Sequence, residues 1–261
     1  MAVYVISDLH LSKSVPGKSM EAFGQNWQDY QERLEKAWMR LVGPGDTVII
    51  PGDLSWALNL DEALEDFRFL DRLPGRKLIG KGNHDFFWTS LTKMNRFFSE
   101  NGLESLQILY NGAKAFEEEG FIACGTRGWF SEGVRHTAVN TGADDEKIFR
   151  RELIRLRMSL DEARRLQDGT GFPIYAFLHF PPVFRDMTQP EVLTLLEEYG
   201  VKRCYYGHMH GVYDVPLHTR SGNLDLFFVA ADYLGFIPYP VSCPEQGKRS
   251  EKPDMEPERS G

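Results

Sequence analysis

Short apolar runs and longer amphipathic stretches alternate through the first hundred residues. Residues 2–6 are apolar and rich in β-branched side chains, the signature of a buried strand. Residues 19–41 then place Phe23, Trp27, Tyr30, Leu34, Ala37, Trp38 and Leu41 at three- and four-residue spacing, which predicts a helix with one apolar stripe. Gly43-Pro44-Gly45-Asp46 stops it. Residues 47–50 read as the next strand and 61–70 as a helix closed by Pro74-Gly75. Residues 77–79 read as a third strand and 86–101 as a helix. This rhythm argues for a parallel sheet with covering helices.

The pattern changes in the middle. Residues 107–126 carry short runs around Asn111-Gly112 and Glu119-Gly120, which predicts antiparallel hairpins. Residues 146–166 are helical, with Ile148, Leu153, Leu156, Leu160 and Ala163 inward and many Arg and Glu residues outward. Strands are expected at 174–180, 204–206 and 224–230, and a helix at 190–199. From about Cys243 the chain turns to Pro, Glu, Lys and Ser and is expected to be disordered. The expected organisation is a single domain over residues 1–240 with a tail over 241–261.

Five polar clusters fall where predicted strands end: Asp8-Leu9-His10, Gly52-Asp53, Gly82-Asn83-His84-Asp85, His179 before Phe180-Pro181-Pro182, and Gly207-His208-Met209-His210. Ligands of parallel α/β sheets bind at the carboxyl ends of strands, so clusters distant in sequence can meet there. If the chain stays extended, Asp8 and His10 point the same way, as do His208 and His210. Imidazole, carboxylate and amide oxygen together suit Mn, Fe or Zn, and no thiol lies near them to suggest a structural zinc knot.

Composition narrows the class. The chain has 261 residues, 42% of them hydrophobic, enough for one sizeable core. A formal net charge of -8 supplies no general basic footprint for nucleic acid, although a local groove stays open. It does not oppose a phosphate substrate, because bound cations reverse the local field. No run is apolar enough for a membrane span. Three scattered cysteines without a C-x-x-C pair, and an N-terminus without a basic leader, point to a reducing cytoplasm.

Taken in order, D-x-H, G-D, G-N-H-D, H and G-H-x-H resemble the pattern of the calcineurin-like metallophosphoesterases, over about four-fifths of the chain. The resemblance implies a four-layer α/β/β/α sandwich of two mixed sheets flanked by helices, which replaces the single parallel sheet and accounts for the middle hairpins. It implies a dinuclear centre in which Asp8, His10 and His210 hold one divalent ion and Asn83, His179 and His208 the other. Asp53 would bridge them. Hydrolysis of a phosphate monoester or diester would use hydroxide held between the ions as nucleophile. His84 would face the substrate and Asp85 would orient His84. Asn83 and His84 would also contact the phosphoester.

Other features have plainer readings. Arg127, in Gly125-Thr126-Arg127-Gly128-Trp129, either grips a substrate phosphate or is an ordinary surface residue. His136 and His218 match no position of the pattern. Arg150, Arg151, Arg155, Arg157, Arg164 and Arg165 alternate with acids as a solvated helix face would. The glycine-bearing segment 130–145 is expected to be a mobile loop over the site. The competing function is a non-catalytic metal-binding scaffold for protein partners, but such a chain would be expected to lose ligands, and all seven positions are intact.

Overall fold

The computed structural model describes residues 1–131 and 145–241. The expectations for the 130–145 loop, His136, Cys243 and the C-terminal tail lie wholly or mostly outside these residues.

Two sheets stack face to face. The first has the order β13-β1-β2-β3-β4, from β1 (Val3–Val5), β2 (Thr47–Ile50), β3 (Arg76–Ile79), β4 (Leu106–Ile108) and β13 (Tyr239–Pro240). All neighbours are parallel except β13, which closes one edge antiparallel to β1. The second has the order β11-β12-β10-β7-β6-β5, from β5 (Gly112–Phe116), β6 (Phe121–Thr126), β7 (Ile174–Leu178), β10 (Arg203–Tyr206), β11 (His218–Ser221) and β12 (Leu224–Phe228). Its four central strands are parallel and both edges antiparallel. A small ribbon pairs β8 (Val183–Phe184) with β9 (Met187–Thr188).

Strand alternation divides the apolar residues into three cores. Val3, Val5, Ile49 and Leu78 of the first sheet meet Phe121, Ala123, Tyr175, Phe177 and Tyr205 of the second. The opposite faces turn outward. Val48, Ile50 and Ile79 pack under α1 (Tyr30–Leu41), α2 (Leu64–Arg72) and α3 (Leu91–Glu100). Ile122, Cys124, Ile174, Ala176 and Cys204 pack under α4 (Asp145–Thr170) and α5 (Pro190–Glu198). This is the four-layer sandwich. Strands buried on both faces also explain why the sequence runs are continuously apolar.

Several predicted boundaries move, for local reasons. Residues 19–29 form no α-helix: short 3-10 helices at Met20–Phe23 and Gln25–Trp27, after another at Pro16–Lys18, precede α1. Gly24, with φ 122°, and Asp29, in the left-handed region, break the helix, and Phe23 is left 73% exposed. Trp27, Tyr30, Leu34 and Trp38 keep the buried stripe. α2 starts late, behind a turn in which Asn59 Oδ1 accepts from Glu62 N. α3 starts at Leu91, where the Ser90 side chain accepts from Lys93 N as an N-cap. Of the two expected hairpins, only the one at Glu119-Gly120 forms, between β5 and β6. Asn111-Gly112 carries the chain from the first sheet into the second, because β4 pairs parallel with β3. The edge strands β11 and β13 and the ribbon β8–β9 have no clear apolar signal in the sequence.

Candidate metal centre

The parallel strands of both sheets deliver the polar clusters to one rim. Asp8 and His10 follow β1, Asp53 follows β2, and Asn83, His84 and Asp85 follow β3. From the other sheet, His179 follows β7, and His208 and His210 follow β10. The two sheets are stitched together at this rim: Ser7 N donates to Val229 O and Ala231 N to Ser7 O, both at 2.8 Å. Asp8, His10, Asp53 and His208 all adopt left-handed backbone, with φ of 60°, 45°, 52° and 70°. The extended geometry expected for D-x-H is therefore absent. Asp and His tolerate the left-handed region better than most residues, and non-glycine residues held there gather at functional sites. Hydrogen bonds from Asp8 N to Gly52 O (3.0 Å) and His10 N to Asp53 O (2.9 Å) fix the kinked segment.

Two motif glycines are explained by close approach. A Cβ on Gly82 would lie 2.1 Å from Asp53 Oδ1, and one on Gly207 would lie 2.1 Å from Asp8 Oδ2. Any side chain at either position displaces a candidate ligand.

The donor atoms form two overlapping groups: Asp8, His10 and Asp53, and Asp53, His179 and His208. Asp53 Oδ2 lies 3.7 Å from His10 Nε2 and 3.3 Å from His179 Nε2. Asn83 Oδ1 joins the second group, 2.8 Å from His179 Nε2 and 2.9 Å from His208 Nδ1. Those two ring nitrogens are themselves 3.3 Å apart. His210 stands on the other side, its ring 5.2 Å from that of His10. His84 lies between rim and solvent, its ring 5.6 Å from His10 and its backbone N donating to Asp53 Oδ1 at 2.8 Å.

Aromatic rings jacket these groups. Trp56 stacks on His10 at 4.7 Å and leans on His84 at 4.7 Å. Trp27 meets His10 and His210 edge-on. Phe180 covers His208 at 4.0 Å. Tyr30 Oη donates to His10 O at 2.7 Å. In the sequence the first aromatic stripe reads as core, and Trp56 belongs to no predicted element. Trp56 lies three residues after Asp53, and that proximity is the available signal. Asp232 also escapes the sequence pattern; it braces the His210 loop by accepting from Gly211 N and Tyr213 Oη.

Burial dominates the electrostatics. It pushes His10 down to about 3 and holds His208 well below the usual imidazole value, which favours the neutral form of both rings. Burial alone would raise Asp53, but His179 and His10 hold its carboxyl well below the ordinary range. His179 is raised: Asp53 and Asp8 outweigh its desolvation. Asp8 is raised by burial and accepts from His208 N.

Two residues have surroundings unlike those expected from the sequence. Asp85 makes no hydrogen bond to the His84 ring among the described residues; Oδ2 accepts from Asp53 N (3.0 Å) and Gly82 N (2.7 Å), and Oδ1 from Leu54 N (2.8 Å). It ties the loop of Asp53 to the loop of Asn83. Arg127 is neither a free fork nor a surface residue. Its guanidinium pairs with buried Glu152 at 3.0 Å and stacks on Trp129 at 4.5 Å, while its carbonyl accepts from His179 N and Phe180 N.

Do these residues fit metal ions? Both ring nitrogens of His10, Asp53 Oδ2 and His179 Nδ1 are buried with no hydrogen-bond partner. Buried polar atoms are nearly always paired, and leaving one unpaired costs about 1–3 kcal/mol. A cation would pair the carboxylate oxygens and unprotonated imidazole nitrogens that converge here. The mixture of imidazole, carboxylate and amide oxygen suits a divalent ion of the Mn, Fe or Zn kind.

Comparison with known proteins agrees. The family model for calcineurin-like phosphoesterases matches residues 1–212. No curated protein matches the chain. Among solved structures, phosphopantetheinyl hydrolase (PptH) from Mycobacterium tuberculosis aligns with a TM-score of 0.55 at 16% identity, covering 98% of both chains. TT1561 of Thermus thermophilus aligns with a TM-score of 0.55 at 13% identity, covering 88% of this chain and 89% of that one. At such identities the likeness shows the fold. The family match shows more: the chain belongs to the calcineurin-like phosphoesterases and is a metal-dependent phosphoester hydrolase.

Proposed function

We propose, from membership of this family and from the shared position of Asp53, that the chain hydrolyses a phosphate monoester or diester at a dinuclear centre. Asp8, His10 and His210 hold one divalent ion, Asn83, His179 and His208 hold the other, and Asp53 lies between them. The observation that carries this reading is that Asp53 belongs to both donor groups while its Oδ2 is buried and unpartnered. The ions, when bound, supply Lewis acidity to the phosphoryl group and a water nucleophile ionised at neutral pH.

The protein's own part is positioning. Left-handed backbone aims Asp8, His10, Asp53 and His208 into one space, and the Asp85 carboxylate locks the Asp53 and Asn83 loops together. His84 is at the mouth, where its ring can donate a hydrogen bond to a phosphoryl oxygen or a proton to the departing alcohol. Trp56 fixes both His10 and His84 and keeps water from their flanks. Residues 1–240 act as one domain. Buried, unpaired Cys124 and Cys204 support a reducing, cytoplasmic setting. No helix among the described residues is long and apolar enough to cross a membrane.

The test is metal analysis and turnover on one preparation. Protein purified with Mn, Fe or Zn is expected to retain two equivalents of metal per chain and to release nitrophenol from p-nitrophenyl phosphate. One equivalent or none, or full activity in both Asp53→Asn and His84→Ala, rules the assignment out.

A further inference from the structure

Beside the Asn83–His179–His208 group lies a wall of cations that the hydrolytic reading leaves unused. Lys81 stands two residues before Asn83, on the same loop. It is half-buried, its Nζ is 6.0 Å from the centroid of Trp88, and it makes no hydrogen bond or ion pair among the described residues. Trp88 packs edge-on against Tyr110 at 5.2 Å, and the Arg155 guanidinium of α4 lies 5.6 Å from the Tyr110 ring. Arg155 donates to Glu152 at 2.6 Å, and the same oxygen accepts from Arg127 at 3.0 Å. Lys81 also lies within electrostatic reach of Arg127, Glu152 and Arg155, and Arg127 adjoins the strand end that carries His179.

Its charge is not balanced. Glu152 is the carboxylate in contact with the two guanidiniums, and it is 2% exposed, with its other oxygen accepting from Thr126 Oγ1. Asp145 is turned to Trp129 Nε1 at the far end. Three cations therefore face two carboxylates, Glu152 in contact with the guanidiniums and Asp85 within electrostatic reach of Lys81, in a chain whose formal net charge is -8. Arg127 Nε is buried and has no hydrogen-bond partner. Arg155 keeps 28% of its side chain exposed, so it is in part open to solvent. Glu152 reads as an anchor that holds two guanidiniums in fixed orientation, a pre-organisation that lowers the cost of ordering them around an anion. Arginine forks and a lysine point charge are the groups that recognise phosphate.

We infer that Lys81 and Arg155 form an anion subsite that takes a second phosphate of the substrate, one that is not hydrolysed, with Arg127 adding positive charge from its pair with Glu152. This rests on the proposed phosphoesterase reading and narrows its substrate to esters bearing two phosphates.

The full chain is tested in two states. Metal-free protein, treated with chelator, is titrated calorimetrically with adenosine 3′,5′-bisphosphate and with adenosine 5′-monophosphate. The bisphosphate is expected to bind more tightly by about tenfold, and Lys81→Gln and Arg155→Gln each to remove about that factor, the worth of one charge-assisted hydrogen bond. Lys81→Arg is expected to keep it. Unchanged thermal midpoints in these variants exclude misfolding, and if one variant unfolds the other decides. Equal binding of the two nucleotides, or variants that bind as wild type, overturns the subsite. Metal-loaded protein is then compared on the two nucleotides and on p-nitrophenyl phosphate. Absence of turnover of all three overturns the hydrolase reading. Turnover of p-nitrophenyl phosphate with no preference for the bisphosphate overturns the subsite alone.

Discussion

The middles of the strands and their carboxyl ends follow opposite rules. Between the sheets, Phe116, Phe121 and Tyr175 stack in series at 4.8 and 4.9 Å, and Phe177, Tyr205 and Phe227 at 5.0 and 4.9 Å. Side chains there alternate strictly between layers, and the ring stacks carry the burial energy. Just past the ends of β1, β2 and β10, Asp8, His10, Asp53 and His208 take left-handed backbone, and buried ring nitrogens lack partners. The first region satisfies local physics; the second violates it in several ways at once. Strain and unpaired polar atoms persist only where surrounding structure over-determines them, so the stacked middle is what makes the reactive end possible.

The comparison predicts a separation of effects. The largest is on activity at the ends: Asp53→Asn is expected to lower kcat toward p-nitrophenyl phosphate by about 10³-fold, the scale seen when one preorganised charge-stabilising group is lost. Its metal-free thermal midpoint should stay close to wild type. A large fall in that midpoint would show that Asp53 also holds the fold and would blur the division. The next effect is on stability in the middle. Phe121→Ala, at the strand end away from the rim, is expected to cost about 3–5 kcal/mol in denaturant unfolding. Turnover per folded molecule should be unchanged, and a lowered value would mean the two regions are coupled.

The same division explains what the sequence could reveal. Ala2 to Ile6 and Ile174 to Leu178 were legible as strands because burial on both faces leaves only apolar residues. The order of Asp8, His10, Asp53, Asn83, His179, His208 and His210 was legible because strand ends deliver them. Their kinked backbone was not, since nothing local distinguishes an extended D-x-H from one bent by hydrogen bonds to Gly52 and Asp53. Trp56 and the partners of Asp85 were illegible for a similar reason: the contact of Trp56 with His10 and that of Asp85 with Leu54 N are set by tertiary structure. The turns before α1 depended on Gly24 and Asp29 leaving the helical region, which the apolar stripe concealed.

Lys77 breaks the rule for the middle and gives a test that does not involve the rim. It is fully buried on β3, and its Nζ donates to Asp71 O, Leu73 O and Ser105 Oγ. Burial pushes it down to about 8 from the ordinary 10.5, with Asp71 opposing. Below pH 8 both folded and unfolded chains carry the proton, and the cost of burying the ammonium is present in full. Between pH 8 and 10.5 the folded chain has lost the proton that the unfolded chain retains, so this residue makes stability rise with pH. The gain across that window is roughly 3 kcal/mol. Denaturant unfolding at pH 7.5, 9 and 10.5 measures it, and Lys77→Met should flatten the rise. An equal slope in the variant would place its origin elsewhere.

The smallest effect separates two roles for Asp85. If it orients His84, Asp85→Asn lowers kcat and extra metal does not help. If it ties the two loops together, as its three backbone N–H partners indicate, the damage is to metal affinity. The amide oxygen can replace Oδ2 and accept from Asp53 N and Gly82 N, but the NH₂ group then faces Leu54 N–H, donor against donor. The Asp53 loop loosens without being lost. The expected outcome is a 10- to 100-fold weaker hold on metal, the usual range for a residue that supports ligands from behind. Activity should return when the ion is in excess, and the acid limb of the pH–rate profile should not move. A kcat that stays low at saturating metal would return Asp85 to His84 and leave the two loops held by their backbone bonds alone.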